Sequence, residues 1–227
     1  MLGSGRITGC RFPAVERGEG PDTSEARRRY RELATGYDRG IRFIDPLRRR
    51  VIERMKLQGG DHVLDVGCGT GASFEALRAA VGDSGQVTAI ELTEEMAAVA
   101  RHRIADSGWT NVEVIVGDAV NAPMPDEVDA ALFFLVHDLT RMPDVITRVV
   151  RVIKPGGVVA ALGPVTAQRW AVPVNLIVRV IARRYVTTFE GFDEPWSHLA
   201  HEIPGLRVRR ILGGGVYLAT GRIEPLA

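Results

Sequence analysis

The sequence predicts a doubly wound α/β protein: a mostly parallel, seven-stranded sheet with helices on both faces and an antiparallel hairpin at its C-terminal end. Three observations carry this. Between residues 62 and 162, short runs of strand type alternate with segments of helical period, the order that builds βαβ units. Residues 128–135 are apolar almost throughout after Asp129, as expected of a strand covered on both faces. Residues 206–212 and 216–220, joined by Gly213-Gly214-Gly215, form a hairpin pattern.

The elements follow in order. Residues 1–22 are rich in Gly, Pro and charge without apolar period, which predicts a flexible arm ahead of a single domain over 23–227. A stripe of Tyr30, Leu33, Ala34 and Tyr37 predicts a helix over 25–35. A second helix over 46–55 has proline in its first turn and Leu47, Val51, Ile52 and Met55 on its inner face. The run Arg48-Arg49-Arg50 is read as its solvent face. Strands are expected at 62–66, 86–91, 112–116, 128–135 and 158–162. The intervening helices are expected at 72–81, 94–107 (capped by Thr93 and closed by Gly108) and 143–153, the last stopped by Lys154-Pro155-Gly156-Gly157. Residues 170–182 are strongly apolar and read as a buried or interface helix, and 196–202 as a last short helix.

Composition excludes several classes. A length of 227 residues, 45% hydrophobic and 25% charged with a net charge of +1, describes an ordinary globular chain without a nucleic-acid-binding balance. Two cysteines, Cys10 and Cys68, make no disulfide framework and suit a reducing cytoplasm. No apolar run reaches the ~18 residues of a membrane span, and the N-terminus has no signal-peptide core. His198 and His201, with Glu202, have helical spacing but no third ligand in suitable context, so no metal is expected.

The chemistry gathers at residues 63–71, Val-Leu-Asp-Val-Gly-Cys-Gly-Thr-Gly. Strand, glycine loop and helix together present backbone N–H groups to a nucleotide-like ligand. Gly67-x-Gly69-x-x-Ala72, with Glu91 about 20 residues on, fits a dinucleotide fingerprint formally. Three acids argue for another ligand. Asp65 precedes the loop on the strand itself, where it would repel a pyrophosphate and attract a cation. Glu91 ends the second strand, suited to gripping ribose hydroxyls. Asp118, in Gly117-Asp118-Ala119 after the third strand, suits an adenine amino group. Three strand-end carboxylates fit a cationic adenosyl ligand.

On these residues the sequence resembles the class I S-adenosylmethionine-dependent methyltransferases, a Rossmann-like fold. The resemblance covers about residues 30–163, through 63–71, 88–92, 116–119, 129–139 and 154–162. Tyr37-Asp38 and the Lys-Pro-Gly-Gly turn resemble the small-molecule, ubiquinone/menaquinone-biosynthesis-like branch. The resemblance implies S-adenosylmethionine as cofactor. Gly67, Cys68, Gly69 and Gly71 would hold its methionine part with Asp65, Glu91 its ribose and Asp118 its adenine. Leu92 and Ala119 would flank the adenine ring, Tyr37 would close the pocket, and Phe134 would line it. His137, beyond the fourth strand, is the candidate catalytic base, with lining the pocket or orienting a loop as its other role. Asp138 is read as capping the following turn.

The function expected is methyl transfer to O, N or C of a small, partly apolar acceptor. Residues 164–200 would form the substrate cover, with Trp170 and Trp196 as candidate pocket walls or core anchors. The apolar segment 170–182 offers a face for a homodimer. Two other readings stand beside this one: a non-methylating cofactor-binding protein on the same scaffold, and an NAD(P)-dependent oxidoreductase, against which Asp65 counts.

Overall fold

A computed structural model describes residues 22–33, 44–168, 171–183 and 185–224. Cys10, Tyr37, Asp38, Trp170 and Arg184, and the arm over 1–21, lie outside the described residues.

The chain opens with α1 (Thr23–Leu33) and α2 (Asp45–Met55), then β1 (His62–Val66), α3 (Phe74–Val81), β2 (Gln86–Glu91), α4 (Glu94–Ser107) and β3 (Val112–Val116). It continues through β4 (Val128–Phe134), α5 (His137–Thr140), α6 (Pro143–Val152), β5 (Ile153–Pro164), α7 (Val172–Ala182) and α8 (Ser197–Glu202). The hairpin β6 (Arg207–Ile211) and β7 (Val216–Arg222) completes it. The seven strands form one sheet in the order β3-β2-β1-β4-β5-β7-β6. β1 to β5 pair in parallel, and β7 joins β5 and β6 antiparallel. The doubly wound sheet and its terminal hairpin are those the sequence predicts, with the Rossmann-like strand order of an open α/β sheet.

Alternation along the central strands explains both cores. On β4, Ala130, Leu132 and Phe134 enter one cluster with Val51, Met55, Phe74 and Leu77 of α2 and α3. Ala131 and Phe133 enter the other with Val145, Ile146 and Val149 of α6. A period of two is what a strand buried on both faces requires. Because strand order reverses between β1 and β4, the loops at their C-terminal ends diverge and leave a crevice there.

Several boundaries differ from expectation. α3 starts at Phe74 rather than residue 72. Thr93 does not cap α4 with its side chain; its hydroxyl donates to Glu91 instead. β5 begins at Ile153, so Lys154-Pro155-Gly156-Gly157 forms the irregular start of a strand, with the register against β4 slipping between Val128 and Ala130. Proline is tolerated at such an irregularity because no regular ladder bond is lost. The short helix α5 has no apolar period and was not legible.

Candidate active site

The crevice between β1 and β4 is a cavity walled by the loop after β1, the ends of β2 to β4, α5 and the start of α1. Asp65, Gly67, Cys68, Gly69, Glu91, Leu92, Asp118, Ala119 and Phe134 all line it. Gly71 and His137 are not among its lining residues.

The loop is held by its own backbone and by two distant side chains. Gly67 and Cys68 donate N–H to the Ile90 carbonyl at 2.8 and 3.1 Å. Gly69 donates to Glu91 Oε2 at 2.9 Å, and Arg103 Nε on α4 donates to the Thr70 carbonyl at 3.1 Å. Gly67 and Gly71 have φ of 77° and 74°, a region that favours glycine. A Cβ at Gly67 would lie 2.6 Å from Val136 Cγ1 and 2.9 Å from Leu139 Cδ1, and one at Gly71 would collide with the Phe74 ring. These two glycines are therefore required by the packing of the protein on itself, not only by a ligand's approach.

Glu91 is buried and fully engaged. Besides the Gly69 bond, its Oε1 accepts from the Thr93 N–H at 3.0 Å and the Thr93 hydroxyl at 2.9 Å. Burial raises its pKa, while the Thr93 and Gly69 hydrogen bonds work against that. Asp118 Oδ1 accepts the Val120 N–H at 3.0 Å, and its carbonyl accepts from Asn121 and Ala122. This turn sets Asp118 and Ala119 at the cavity rim.

Asp65 is 1% exposed, and its Oδ2 has no hydrogen-bond partner among the described residues. Burial pushes its pKa up to about 7, Arg48 lowers it, and Glu91 raises it further. Cys68, partly buried beside both acids, has its thiol pushed well up by burial and by their charges.

Arg48 is the residue that sequence reasoning missed. Read as part of a solvent face, it is 4% exposed and lines the cavity. It pairs with Asp45, its guanidinium carbon lies 4.7 Å from the Phe134 ring centroid, and its buried Nε has no partner among the described residues. The signal was present: Arg48, Ile52 and Met55 stand at i, i+4 and i+7, so Arg48 shares the inner face of α2. Asp22, Thr23 and Ala26 of the α1 region also line the cavity, as do Met96, Leu139 and Met142. Leu135, another lining residue, holds φ at 60°, a strained conformation of the kind that clusters at functional sites.

His137 sits behind the cavity. It is 2% exposed, stacks on Phe192 with centroids 4.8 Å apart, and neither ring nitrogen makes a well-formed hydrogen bond among the described residues. Burial and the nearby Arg141 charge lower its pKa to about 4; a weak interaction with the Glu190 backbone opposes them. This placement runs against the expectation of His137 as base. Asp138, read as a turn cap, lines the cavity and accepts the Thr187 hydroxyl at 2.7 Å and the Thr187 N–H at 3.1 Å. Trp196 packs on Tyr217, with centroids 5.2 Å apart, and does not line the cavity. Glu202 accepts from Thr147, and the described residues contain no group of three or more potential metal ligands.

Residues 63–157 match the model of the methyltransferase domain family. A demethylmenaquinone methyltransferase of Staphylococcus aureus is 29% identical over 183 residues, 74% of this chain and 75% of that protein. A SAM-dependent methyltransferase from Aquifex aeolicus superposes with a TM-score of 0.58 at 25% identity, covering 89% of this chain and 98% of that one. Domain match, relative and fold together support a class I S-adenosylmethionine-dependent methyltransferase. The [4+2]-cyclase SpnF shares the fold, with a TM-score of 0.62 at 22% identity over 90% of this chain and 97% of that one.

The cavity of this methyltransferase fits S-adenosylmethionine on its own chemistry. A buried, unpartnered carboxylate oxygen at Asp65 and a buried, unpartnered guanidinium nitrogen at Arg48 line one cavity. An α-amino acid carries an ammonium and a carboxylate that complement such a pair, whereas a pyrophosphate would leave Asp65 facing like charge.

Proposed function

We propose that this methyltransferase acts on a small, partly apolar acceptor of quinol or phenol type, with Asp65, Arg48 and the 67–69 loop holding the amino-acid end of the cofactor. Glu91 is assigned to the ribose, and Asp118, Leu92 and Ala119 to the adenine. Residues 164–200 are assigned as the substrate cover, in a chain suited to a cytoplasmic setting. The observation that carries this reading is the juxtaposition of the unpartnered Asp65 and Arg48 with an apolar wall of Phe134, Leu135, Val136, Leu139 and Met142. The quinol preference rests on the Staphylococcus aureus relative, a demethylmenaquinone methyltransferase by name.

When bound, the cofactor would supply a methyl group on a positive sulfur for an acceptor electron pair to take, the sulfur–methyl bond breaking with its electrons left on sulfur. The work left to the protein is alignment and exclusion of water. Asp65 and Arg48 fix one end of the donor, and Glu91, already locked by Gly69 and Thr93, fixes the middle. Two fixed points set the direction in which the acceptor must approach. The apolar wall of β4 and α5 excludes water from that direction. His137, buried against Phe192, is assigned a packing role.

The test is turnover by the purified protein with S-adenosylmethionine and a panel containing a short-chain demethylated naphthoquinol, a phenol and an amine. S-adenosylhomocysteine and methylated product are read by mass spectrometry. Methylation of the quinol above the others is expected. Tight S-adenosylhomocysteine binding without turnover on the whole panel would favour the non-methylating reading, which the fold of SpnF keeps open.

A further inference from the structure

Among the described residues, the strongly exposed large hydrophobic side chains are Val172, Leu176, Ile177, Val180, Ile181 and Leu212. All but Leu212 lie on the single helix α7. Scattered exposed apolar residues need no explanation, but a set confined to one helix does. At 3.6 residues per turn these five span about half of the helix circumference. The other side is anchored. Val178 packs with Ala182, Val186, Phe189 and Phe192, and the Asn175 side chain bonds the Ala167 N–H at 2.7 Å. Val174 and Val178 lie against the hairpin, where a Cβ at Gly215 would come within 2.8 Å of either. The outward face is therefore fixed in direction and, among the described residues, uncovered.

Charge selects what covers it. From residue 164 to 189 the sequence contains Arg169, Arg179, Arg183 and Arg184 and no Asp or Glu, in a chain whose net charge is only +1. Arg179 and Arg183 are exposed and fall together at one rim of the apolar face. A two-fold contact between copies would set these arginines against themselves with no acid on the segment to pair them. An anionic lipid surface offers the opposite charge along with an apolar layer at the right depth.

We propose that α7 is a docking helix that lays its Val172–Ile181 face into an anionic bilayer surface. α7 is followed by residues 185–192, which are tied to the active site by the Asp138–Thr187 bonds; Arg29 of α1 donates to the Arg183 carbonyl at 3.1 Å and to that of Val186. Docking would therefore place the cover of the cavity against the membrane. The surface is interfacial: no helix among the described residues is long and apolar enough to cross a membrane.

The test is co-sedimentation of the full chain with vesicles of phosphatidylcholine alone and of phosphatidylcholine with phosphatidylglycerol. Binding is expected only to the anionic vesicles and should weaken with salt. Ile177→Glu with Val180→Glu should lower it by at least about tenfold, and Arg179→Gln with Arg183→Gln should remove the anionic preference. Leu176→Glu alone gives a second, milder variant of the same face should the helix pair fold poorly. S-adenosylhomocysteine binding, measured in parallel, should not change in any of them. No binding by the native chain, or equal binding by the glutamate variants, would overturn the proposal. So would a dimer in sedimentation velocity that the same variants dissociate, because the face would then belong to a second copy.

Discussion

The backbone N–H of Gly69 donates to Oε2 of Glu91 across 2.9 Å, so the glycine loop and the end of β2 hold each other in place. Glu91 accepts from Thr93 as well, and its removal strands three buried or half-buried donors. Hydrogen bonds to a charged group contribute about 1.5–3 kcal/mol each when lost singly. Glu91→Ala is therefore expected to weaken S-adenosylhomocysteine binding by on the order of 100-fold and to lower the thermal midpoint of the free protein too. Calorimetry and a melting curve check both. Unchanged affinity would remove the ribose assignment; unchanged midpoint would mean the loop does not depend on Glu91.

Asp65 predicts a pH dependence of cofactor binding. Burial holds its pKa up at about 7, so the free protein carries a half-protonated carboxyl near neutrality. A ligand ammonium favours the ionised form. Affinity for S-adenosylhomocysteine should rise about tenfold from pH 6 to pH 8, the change in ionised fraction for a pKa of 7. Asp65→Asn should flatten this profile and bind more weakly at pH 8. A pH-independent affinity in the native protein would exclude an ammonium contact at Asp65.

The order of elements and the identity of the cavity lining were largely legible, and the exceptions share a physical cause. Leu64, Val66 and Ala131 announce buried strands by type, and Asp65 stands out among them because a carboxylate has no structural reason to be there. Arg48 is masked in the sequence by its charge: its neighbours, Arg49 and Arg50, are exposed, and only its spacing from Ile52 and Met55 marks it as inward. His137 shows the converse. Proximity in sequence to a strand end does not say which way a side chain turns, and α5 turns this one toward Phe192. The Asp138–Thr187 pair spans 49 residues, beyond the reach of any local pattern.

His137 and Asp65 should pull stability in opposite directions with pH. His137 titrates near 6.5 when unfolded and at about 4 when folded. Between those values the unfolded state binds more protons, so its contribution is lost as pH falls from about 6.5 to 4. Asp65 is raised from 3.8 to about 7, so the folded state binds more protons in that window, and its contribution is lost as pH rises toward 7. Melting curves from pH 4 to 7 should be shallow for the native protein. They should slope upward with pH in Asp65→Asn and downward in His137→Phe. The same His137→Phe variant separates packing from proton transfer. Turnover within a few-fold of native, with an unshifted pH–rate profile, is expected; a 100-fold loss of kcat at unchanged cofactor affinity would restore His137 as the base.

Thr187 is tied to the cavity wall through one carboxylate. Asp138 takes both the hydroxyl and the N–H of Thr187; burial raises its pKa and those two bonds oppose the rise. Thr187→Val removes the hydroxyl donor, keeps the shape and leaves a half-buried acceptor short of one partner. Asp138→Asn keeps an acceptor oxygen but loses the charge. Both should loosen residues 185–192 without unfolding the sheet, whose strands, among the described residues, share no hydrogen bond with this pair. Amide exchange in 185–192 should accelerate by about tenfold, as expected for the loss of roughly 1.4 kcal/mol of local protection. Exchange in β1 and β4 should be unchanged. If the segment also covers bound acceptor, KM for the acceptor should rise while affinity for S-adenosylhomocysteine stays near native, because its assigned contacts at Asp65, Glu91 and Asp118 are left intact. Equal weakening of both ligands would instead mean that Asp138 shapes the cofactor cavity that it lines.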